Sequence, residues 1–490
     1  MKKIAIIGAG LGGLTAGNLL ARKGHRVKLF EAHTAPGGYT AGFTKKGFYF
    51  ESGTLSFESS YQVFKAMKDI GVSDRLTFIR FVPRFVGPRF DAVIESYDDF
   101  KKLFLDAFPD DRAKLEGYFA EVDKLYRAME GFSRPGRPSL RRMLLSGLRL
   151  SALYKKYENE TITDFTARHF GRESELFRLL LTLGYPDMSA YVIGGALATI
   201  FLDYWTVKEG MQAWADALAE AFKARGGELL LRSPVDKIVT KDGAAVGVQS
   251  GGVFYEADAV ISAADYKKTF LKLLDNPALM PADRLEKIRT APVSEGICTV
   301  YCGLNLPAER LAERLKAYHV MYLDERPGAE FRDPDDAAFF EKSSVWLYSP
   351  SMVNPGHAPE GKSSLMLQAV APMRWMNDWG GGDRAAYRDL KERMKTALIE
   401  KATAIIPDLE SLLEFSDAAT PKTYERYTGN TDGATSAWSW NPRKKFFKSL
   451  LKSNVGTPVR NLWIGSCWAT QIGGVPSAIG AAYKCAKKIG

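Results

Sequence analysis

The spacing of glycines near the amino terminus constrains this chain more than any other feature. Gly8-Ala9-Gly10-Leu11-Gly12-Gly13 matches G-x-G-x-x-G. The run before it, Lys3-Ile4-Ala5-Ile6-Ile7, is short and apolar, of the kind that fills a parallel strand covered on both faces. The spacing after it predicts a helix over 14–22, ending near Gly24, and a second strand over 25–30 that closes on Glu31. Strand, glycine turn, helix, strand and acid in that order form a dinucleotide-binding unit. The first glycine allows the tight turn, the second lets backbone amides approach a pyrophosphate, and the third lets helix and strand pack closely. The helix N-terminus turns unpaired N–H groups and its positive end toward the phosphates. Glu31 is placed to accept hydrogen bonds from ribose hydroxyls, and its charge would repel a 2′-phosphate. A lysine pair followed by the uncharged residues 4–21 also has the outline of a secretory leader. Gly8, Gly10, Gly12, Gly13 and Gly17 all fall in that run, and glycine costs about 1 kcal/mol relative to alanine inside a helix, so a leader is the poorer reading.

At 490 residues the chain is too long for one core, and two or three domains are expected. With 46% hydrophobic and 25% charged residues it has the composition of a soluble globular protein. A net charge of +10 suits an anionic membrane surface or an acidic ligand, and equally plain solubility. No recognisable motif supports nucleic-acid binding. The apolar stretch 188–202 would span about 22 Å as a helix, short of a bilayer core of about 30 Å. It is read as a buried helix or the lining of an apolar pocket. Four scattered cysteines make no disulfide framework, and the strand-like spacing of Cys298 and Cys302 puts both on one face of a core strand. The five histidines show no i,i+4 pair, so no metal site is expected, and a reducing cytoplasm is the default location. Gly465-Ser466-Cys467-Trp468 imitates the surroundings of a papain-type nucleophile, but no histidine follows His357, and that reading fails.

The longer stretch is more informative. Asn461-Leu462-Trp463-Ile464-Gly465-Ser466 reads as a strand and turn, and Gly473-Gly474-Val475-Pro476-Ser477-Ala478 as the start of a helix with proline in its first turn. A second helix N-terminus is thus brought beside the first unit, and in a flavoprotein such a terminus can stabilise negative charge on the reduced ring. With these residues in view the chain resembles, nearly end to end, the flavin-dependent phytoene desaturase, carotenoid isomerase and retinol saturase group within the amine-oxidase-like superfamily. Pro36-Gly37-Gly38-Tyr39-Thr40 is similar to that group's glycine doublet beneath the flavin diphosphate. Gly47-Phe48-Tyr49-Phe50-Glu51-Ser52-Gly53 resembles its G-F-x-F-D-x-G strand, with Glu51 for aspartate. Glu209-Gly210-Met211 resembles its G-G-M segment, and Ser233-Pro234-Val235 the strand whose valine backbone meets the adenine. Ala257-Asp258-Ala259-Val260-Ile261-Ser262 resembles the strand returning to the sheet. Tyr39 stands where many members carry arginine, and Ser466 where many flavoproteins place aspartate.

The resemblance implies FAD. The expected contacts are Gly8, Gly10, Leu11, Gly12, Gly13, Glu31, Gly37, Gly38, Tyr39, Thr40, Val235, Gly465, Ser466, Gly474 and Val475. The fold class expected is α/β: a Rossmann-like FAD domain assembled from 1–63, 205–275 and 456–490, an antiparallel-sheet substrate domain from 64–97 and 276–455, and a helical insert over 98–204. Alternation at 344–348 and 364–368 supports the sheet, and Leu115, Phe119, Val122 and Leu125 mark an apolar helix face in the insert. Basic stretches with interleaved apolar residues at 141–156 and 443–452 have the make-up of surfaces that rest in a headgroup layer, or of solvated helices with an apolar face packed inside. The reading favoured is an FAD-dependent oxidoreductase that desaturates, saturates or isomerises carbon–carbon double bonds of a long apolar carotenoid, retinoid or other isoprenoid. A flavin amine oxidase and a non-enzymatic prenyl-lipid carrier are the alternatives. An apolar tunnel is expected, with 188–202 and aromatics such as Trp205 among its walls. No catalytic base is nominated, although Asp187 and Arg374 lie in family-like regions, and the redox partner is not identified.

Overall fold

The computed structural model describes residues 1–130, 140–181, 186–323, 333, 335–450 and 452–490. The opening strand Lys3–Ile7 is buried along Ile4–Ile7, so its apolar run fills the centre of a sheet. That sheet has five strands, in the order Leu462–Ile464, Ala259–Ser262, Lys3–Ile7, Arg26–Phe30, Glu228–Leu230. Every pairing is parallel, with Ile6 set between Ile261 and Leu29. Three widely separated stretches of chain therefore contribute to one sheet.

The first helix is Leu11–Arg22, three residues longer at its start than the expected 14–22. Gly12 and Gly13 belong to its first turn, where their missing side chains permit contact with neighbouring backbone, as described below. The closing helix Gly474–Ile489 packs beside it, and Ala481, Ala482 and Cys485 are buried at the joint core.

The second sheet has seven strands, in the order Leu413–Ala419, Gly296–Leu304, Ser363–Ala371, Val345–Tyr348, His319–Tyr322, Arg84–Gly87, Phe90–Val93. It is antiparallel except where His319–Tyr322 runs parallel to Arg84–Gly87, so the expected antiparallel sheet is in fact mixed. Those two strands lie far apart in sequence, and no hairpin imposes their direction. Gly296–Leu304 is buried along its whole length. Leu398 and Met394 of the helix Arg384–Ala402 cover one side of this sheet, and an aromatic layer including Phe48, Phe50 and Tyr301 covers the other. Cys298 and Cys302 share the helix-covered side, as expected, and burial pushes both thiols up.

The helical insert has its own core. Leu115, Phe119, Val122 and Leu125 of Arg112–Glu130 are all buried, as their spacing predicts, and meet Leu197 and Phe201. The apolar stretch 188–202 forms the helix Ile193–Leu202 in this core, and a methyl on Gly194 would overlap the backbone at Leu125. Among the described residues no helix is long and apolar enough to cross a membrane.

Candidate functional site

The glycine loop sits at the carboxyl end of the opening strand, where ligands bind in open α/β sheets. Gly8 has φ +96° and its N–H donates to the Phe30 carbonyl at 2.7 Å, which makes the turn. A methyl on Gly13 would overlap the Gly8 carbonyl oxygen, and one on Gly12 the Gly465 carbonyl oxygen. These two glycines let the helix lie against the strand end and against the C-terminal segment. Gly10 differs: its nearest neighbour on that side, the Gly37 carbonyl oxygen, is 3.9 Å away. Gly10 is also the N-cap of the helix and supplies no side-chain cap to its first turn, leaving those amides for a ligand. Leu11 opens that turn and is buried.

Gly37 and Gly38 lie alongside Gly10 with φ of +134° and +59°. The Gly37 N–H donates to the Ala9 carbonyl at 2.9 Å, and the Thr40 hydroxyl donates to the Gly37 carbonyl at 2.7 Å. Glu31 accepts the Ala9 N–H at 2.7 Å and the His33 N–H at 3.0 Å, so its carboxylate is fixed against the glycine loop. Val235 is brought to the same side by backbone pairing, because the Ser233 N–H donates to the Glu31 carbonyl at 2.8 Å. The C-terminal residues close the other side. Gly465 N–H donates to the Ser262 carbonyl at 2.8 Å, and the Ser466 hydroxyl to the Ala264 carbonyl at 3.1 Å. Gly473 and Gly474 have φ of +73° and +81°, and a methyl on Gly473 would overlap the Ser436 carbonyl oxygen. Gly474 and Val475 begin the closing helix, are half-buried, and offer a second N-terminus without a side-chain cap.

Tyr39 reaches toward the 424–433 segment. Its hydroxyl donates to the Gly433 carbonyl at 2.7 Å and its ring stacks on Tyr424, centroids 5.9 Å apart. It ties the glycine doublet to the 424–433 segment. Arg374 is exposed, and its charge acts on Asp432, next to Gly433. Asp187 lies in the helical insert.

Two further carboxylates matter. Glu51 is fully buried and accepts the Met211 N–H at 3.0 and 3.2 Å and the Tyr49 hydroxyl at 2.9 Å. Burial pushes its pKa up to about 8, against the pull of those donors. The helix Met211–Ala224 thereby meets the loop below the glycine doublet, since Gln212 accepts from Gly42 and donates to the Pro36 carbonyl, each at 3.0 Å. The glutamate for aspartate was visible in the sequence, but not its partner. Glu58 lies in a loop with no motif at all. Its Oε1 is 3.2 Å from where a Cβ on Gly474 would sit, so it faces the first turn of the closing helix. Desolvation, reinforced by the nearby Asp203, pushes its pKa up to about 7.

Against Phe57 lies a mainly apolar cavity of about 440 Å³ lined by Phe64, Met67, Leu76, Phe78 and Trp205, with Ser73 and Thr77 as its polar members. Trp205 is thus a wall of an apolar pocket, whereas 188–202 contributes nothing to this one. Of the two basic stretches, that on the helix Leu140–Tyr157 leaves Leu144, Leu145 and Leu148 exposed at 67%, 46% and 64%. In the other, Phe446 and Leu450 are buried and Phe447 is half-buried, while Arg443, Lys444, Lys448 and Lys452 are exposed. The side chains of Arg142 and Met143, and Leu451, lie outside the described residues.

A backbone cradle in which added methyls would strike carbonyl oxygens, flanked by two uncapped helix N-termini and an acid fixed beside the loop, fits an extended dinucleotide. Fold and site together define a dinucleotide-binding flavoenzyme. The chain belongs to the flavin containing amine oxidoreductase family, whose model matches residues 11–490. It is an FAD-dependent oxidoreductase. It is 25% identical to a phytoene desaturase (lycopene-forming) of Pseudescherichia vulneris over 98% of each chain. It is 23% identical to a chloroplastic prolycopene isomerase of Arabidopsis thaliana, over 87% of this chain and 73% of that one. With an all-trans-retinol 13,14-reductase of Danio rerio it shares 25% identity over 94% of this chain and 81% of the other. Among solved structures, an oxidoreductase from Methanosarcina mazei superposes with a TM-score of 0.64 at 17% identity, covering 99% of this chain and all of that one. The cyclohexylamine oxidase of Brevibacterium oxydans superposes at 0.62 and 15% identity, covering 100% of this chain and 99% of its own. These two likenesses concern the fold.

Proposed function

We propose that this enzyme changes carbon–carbon double bonds in a long apolar isoprenoid, a carotenoid or retinoid, by desaturation, saturation or cis–trans isomerisation. The observation that carries the reading is the run of relatives, each matched over most of its length, named as a phytoene desaturase, a prolycopene isomerase and a retinol reductase. The apolar cavity at Trp205, beside the loop that holds Glu58, supports it.

In this reading the amides of Gly8, Gly10, Leu11, Gly12 and Gly13 hold the diphosphate from one side and Gly37, Gly38 and Thr40 from the other, with Tyr39 anchoring the doublet. Glu31 accepts from the ribose, Val235 meets the adenine, and Gly465, Ser466, Gly474 and Val475 hold the flavin end. Bound FAD supplies a hydride acceptor or donor. Glu58, its carboxyl pushed up to about 7 by burial, can take up or release a proton near neutral pH beside the Gly474 turn. Phe64, Phe78 and Trp205 exclude water from the approach. The division into an FAD domain (1–63, 205–275, 456–490), a substrate domain (64–97, 276–455) and a helical insert (98–204) belongs to the same proposal. So does peripheral attachment to an anionic membrane through the exposed leucines and cations of Leu140–Tyr157.

The test is a visible spectrum of gently purified protein before and after denaturation, with extraction of any bound polyene. Flavin bands released on denaturation, together with co-purified polyene bands, support the reading. Protein that stays colourless after incubation with FAD overturns it.

A further inference from the structure

A second cleft, of about 870 Å³, opens between the helix Ala282–Thr290, residues 446–448 and 453–456, and the last turns of the closing helix. The closing helix runs for 16 residues, about 24 Å, so this cleft lies a helix length from the Gly474 turn and is separate from the flavin site. Six cations line it, Arg284, Lys287, Lys448, Lys484, Lys487 and Lys488, against one carboxylate, Asp283. Three of the cations donate to neutral acceptors: Arg284 to the Tyr266 hydroxyl at 2.9 Å, Lys287 to the Phe446 carbonyl at 2.7 Å, and Lys484 to the Ser453 carbonyl at 3.3 Å. Those bonds aim the side chains without neutralising them. Lys448, Lys487 and Lys488 are exposed and make no ion pair among the described residues.

A helix C-terminus carries roughly half a negative charge, which a single lysine offsets. The positive charge gathered here far exceeds that, and it is held within one concave space instead of being spread over the surface. Like charges so confined repel one another, and the repulsion is relieved when an anion enters. We infer that this cleft binds a ligand bearing two or more phosphate charges. The half-buried Phe447 at its wall offers an apolar face beside those charges. Both soluble polyphosphates or phosphate esters and clustered lipid headgroups present this chemistry.

The full-length, FAD-loaded protein is titrated calorimetrically with tripolyphosphate at low salt, and separately sedimented with phosphatidylcholine vesicles with and without phosphatidylglycerol. Each experiment is repeated with K448E/K487E/K488E and with R384E/R388E/R393E, which changes net charge equally on the exposed face of Arg384–Ala402. For at least one of the two ligands, the cleft variant weakens binding by about tenfold or more and the control variant by less than about threefold, any vesicle binding through Leu140–Tyr157 being common to both variants. Tripolyphosphate as the responding ligand identifies a soluble phosphate site, and phosphatidylglycerol vesicles identify a headgroup site. If the charge-reversed cleft variant does not fold, K448Q/K487Q/K488Q replaces it with the same expected ordering. Failure to bind either ligand, binding of both ligands retained in the cleft variant, or equal weakening in both variants overturns the proposal.

Discussion

Glu51 and Met211, 160 residues apart in the chain, are joined in the core by hydrogen bonds from one amide to both carboxylate oxygens. The contact links the strand Phe48–Glu51 to the start of the helix Met211–Ala224. Replacing Glu51 with alanine leaves the Met211 amide and the Tyr49 hydroxyl unpaired in the core, which costs about 2–4 kcal/mol in urea denaturation at pH 6. Glutamine keeps an acceptor and stays neutral. Because the folded-state pKa of Glu51 is about 8, above its ordinary value of 4.5, the folded protein holds a proton that the unfolded chain releases between those pH values. Stability therefore falls as pH rises through that window. Glu51→Gln shows a smaller fall than the parent between pH 6 and 9, the remainder coming from Glu58.

The glycine loop gives a sharper contrast. Alanine at Gly13 or Gly12 places a methyl on a backbone carbonyl oxygen with no flexible neighbour to yield, whereas alanine at Gly24, with φ +81° and open space around it, meets only backbone strain. Gly13→Ala and Gly12→Ala purify without flavin and melt several degrees lower, while Gly24→Ala keeps its flavin and loses about 1 kcal/mol. Flavin content by absorbance and thermal melts check both.

Much of this site was legible in the sequence because its determinants are local. Lys3–Ile7, the glycines and Glu31 fall within one supersecondary unit, and the contact of Gly12 with Gly465 needs only a second short motif. The helix start was misplaced because Gly12 and Gly13 resemble turn residues until the carbonyls packed against them are known. The parallel pair in the second sheet, the inward direction of Phe446 and Leu450, and the meeting of Glu58 with Gly474 depend on which distant segment packs where. Residue periodicity carries none of that information.

Glu58 is expected to govern a pH transition. Burial pushes its carboxyl up to about 7, so FAD-enzyme turnover is expected to change through that region, and Glu58→Gln, which cannot titrate, removes the transition. Turnover in the variant falls about 10- to 100-fold while flavin content stays at the parental level, as measured by pH–rate profiles and absorbance of the same samples.

The exposed leucines of Leu140–Tyr157 supply a further test. Leu144→Ser, Leu145→Ser and Leu148→Ser combined remove apolar anchors without altering charge. Sedimentation with phosphatidylglycerol vesicles falls about tenfold or more, and stability in urea changes by less than about 1 kcal/mol because these side chains are already in water.

Chromatography of a polyene after incubation with the FAD-loaded enzyme, oxidised and chemically reduced in parallel, tests the proposed chemistry most directly. A panel of phytoene, lycopene isomers and retinol is used, with amines as the comparison. The expected result is a product that differs from its substrate in the number or geometry of its double bonds in at least one redox state, with no peroxide from amines. Unchanged polyenes throughout, accompanied by amine-dependent peroxide release, would contradict the isoprenoid assignment.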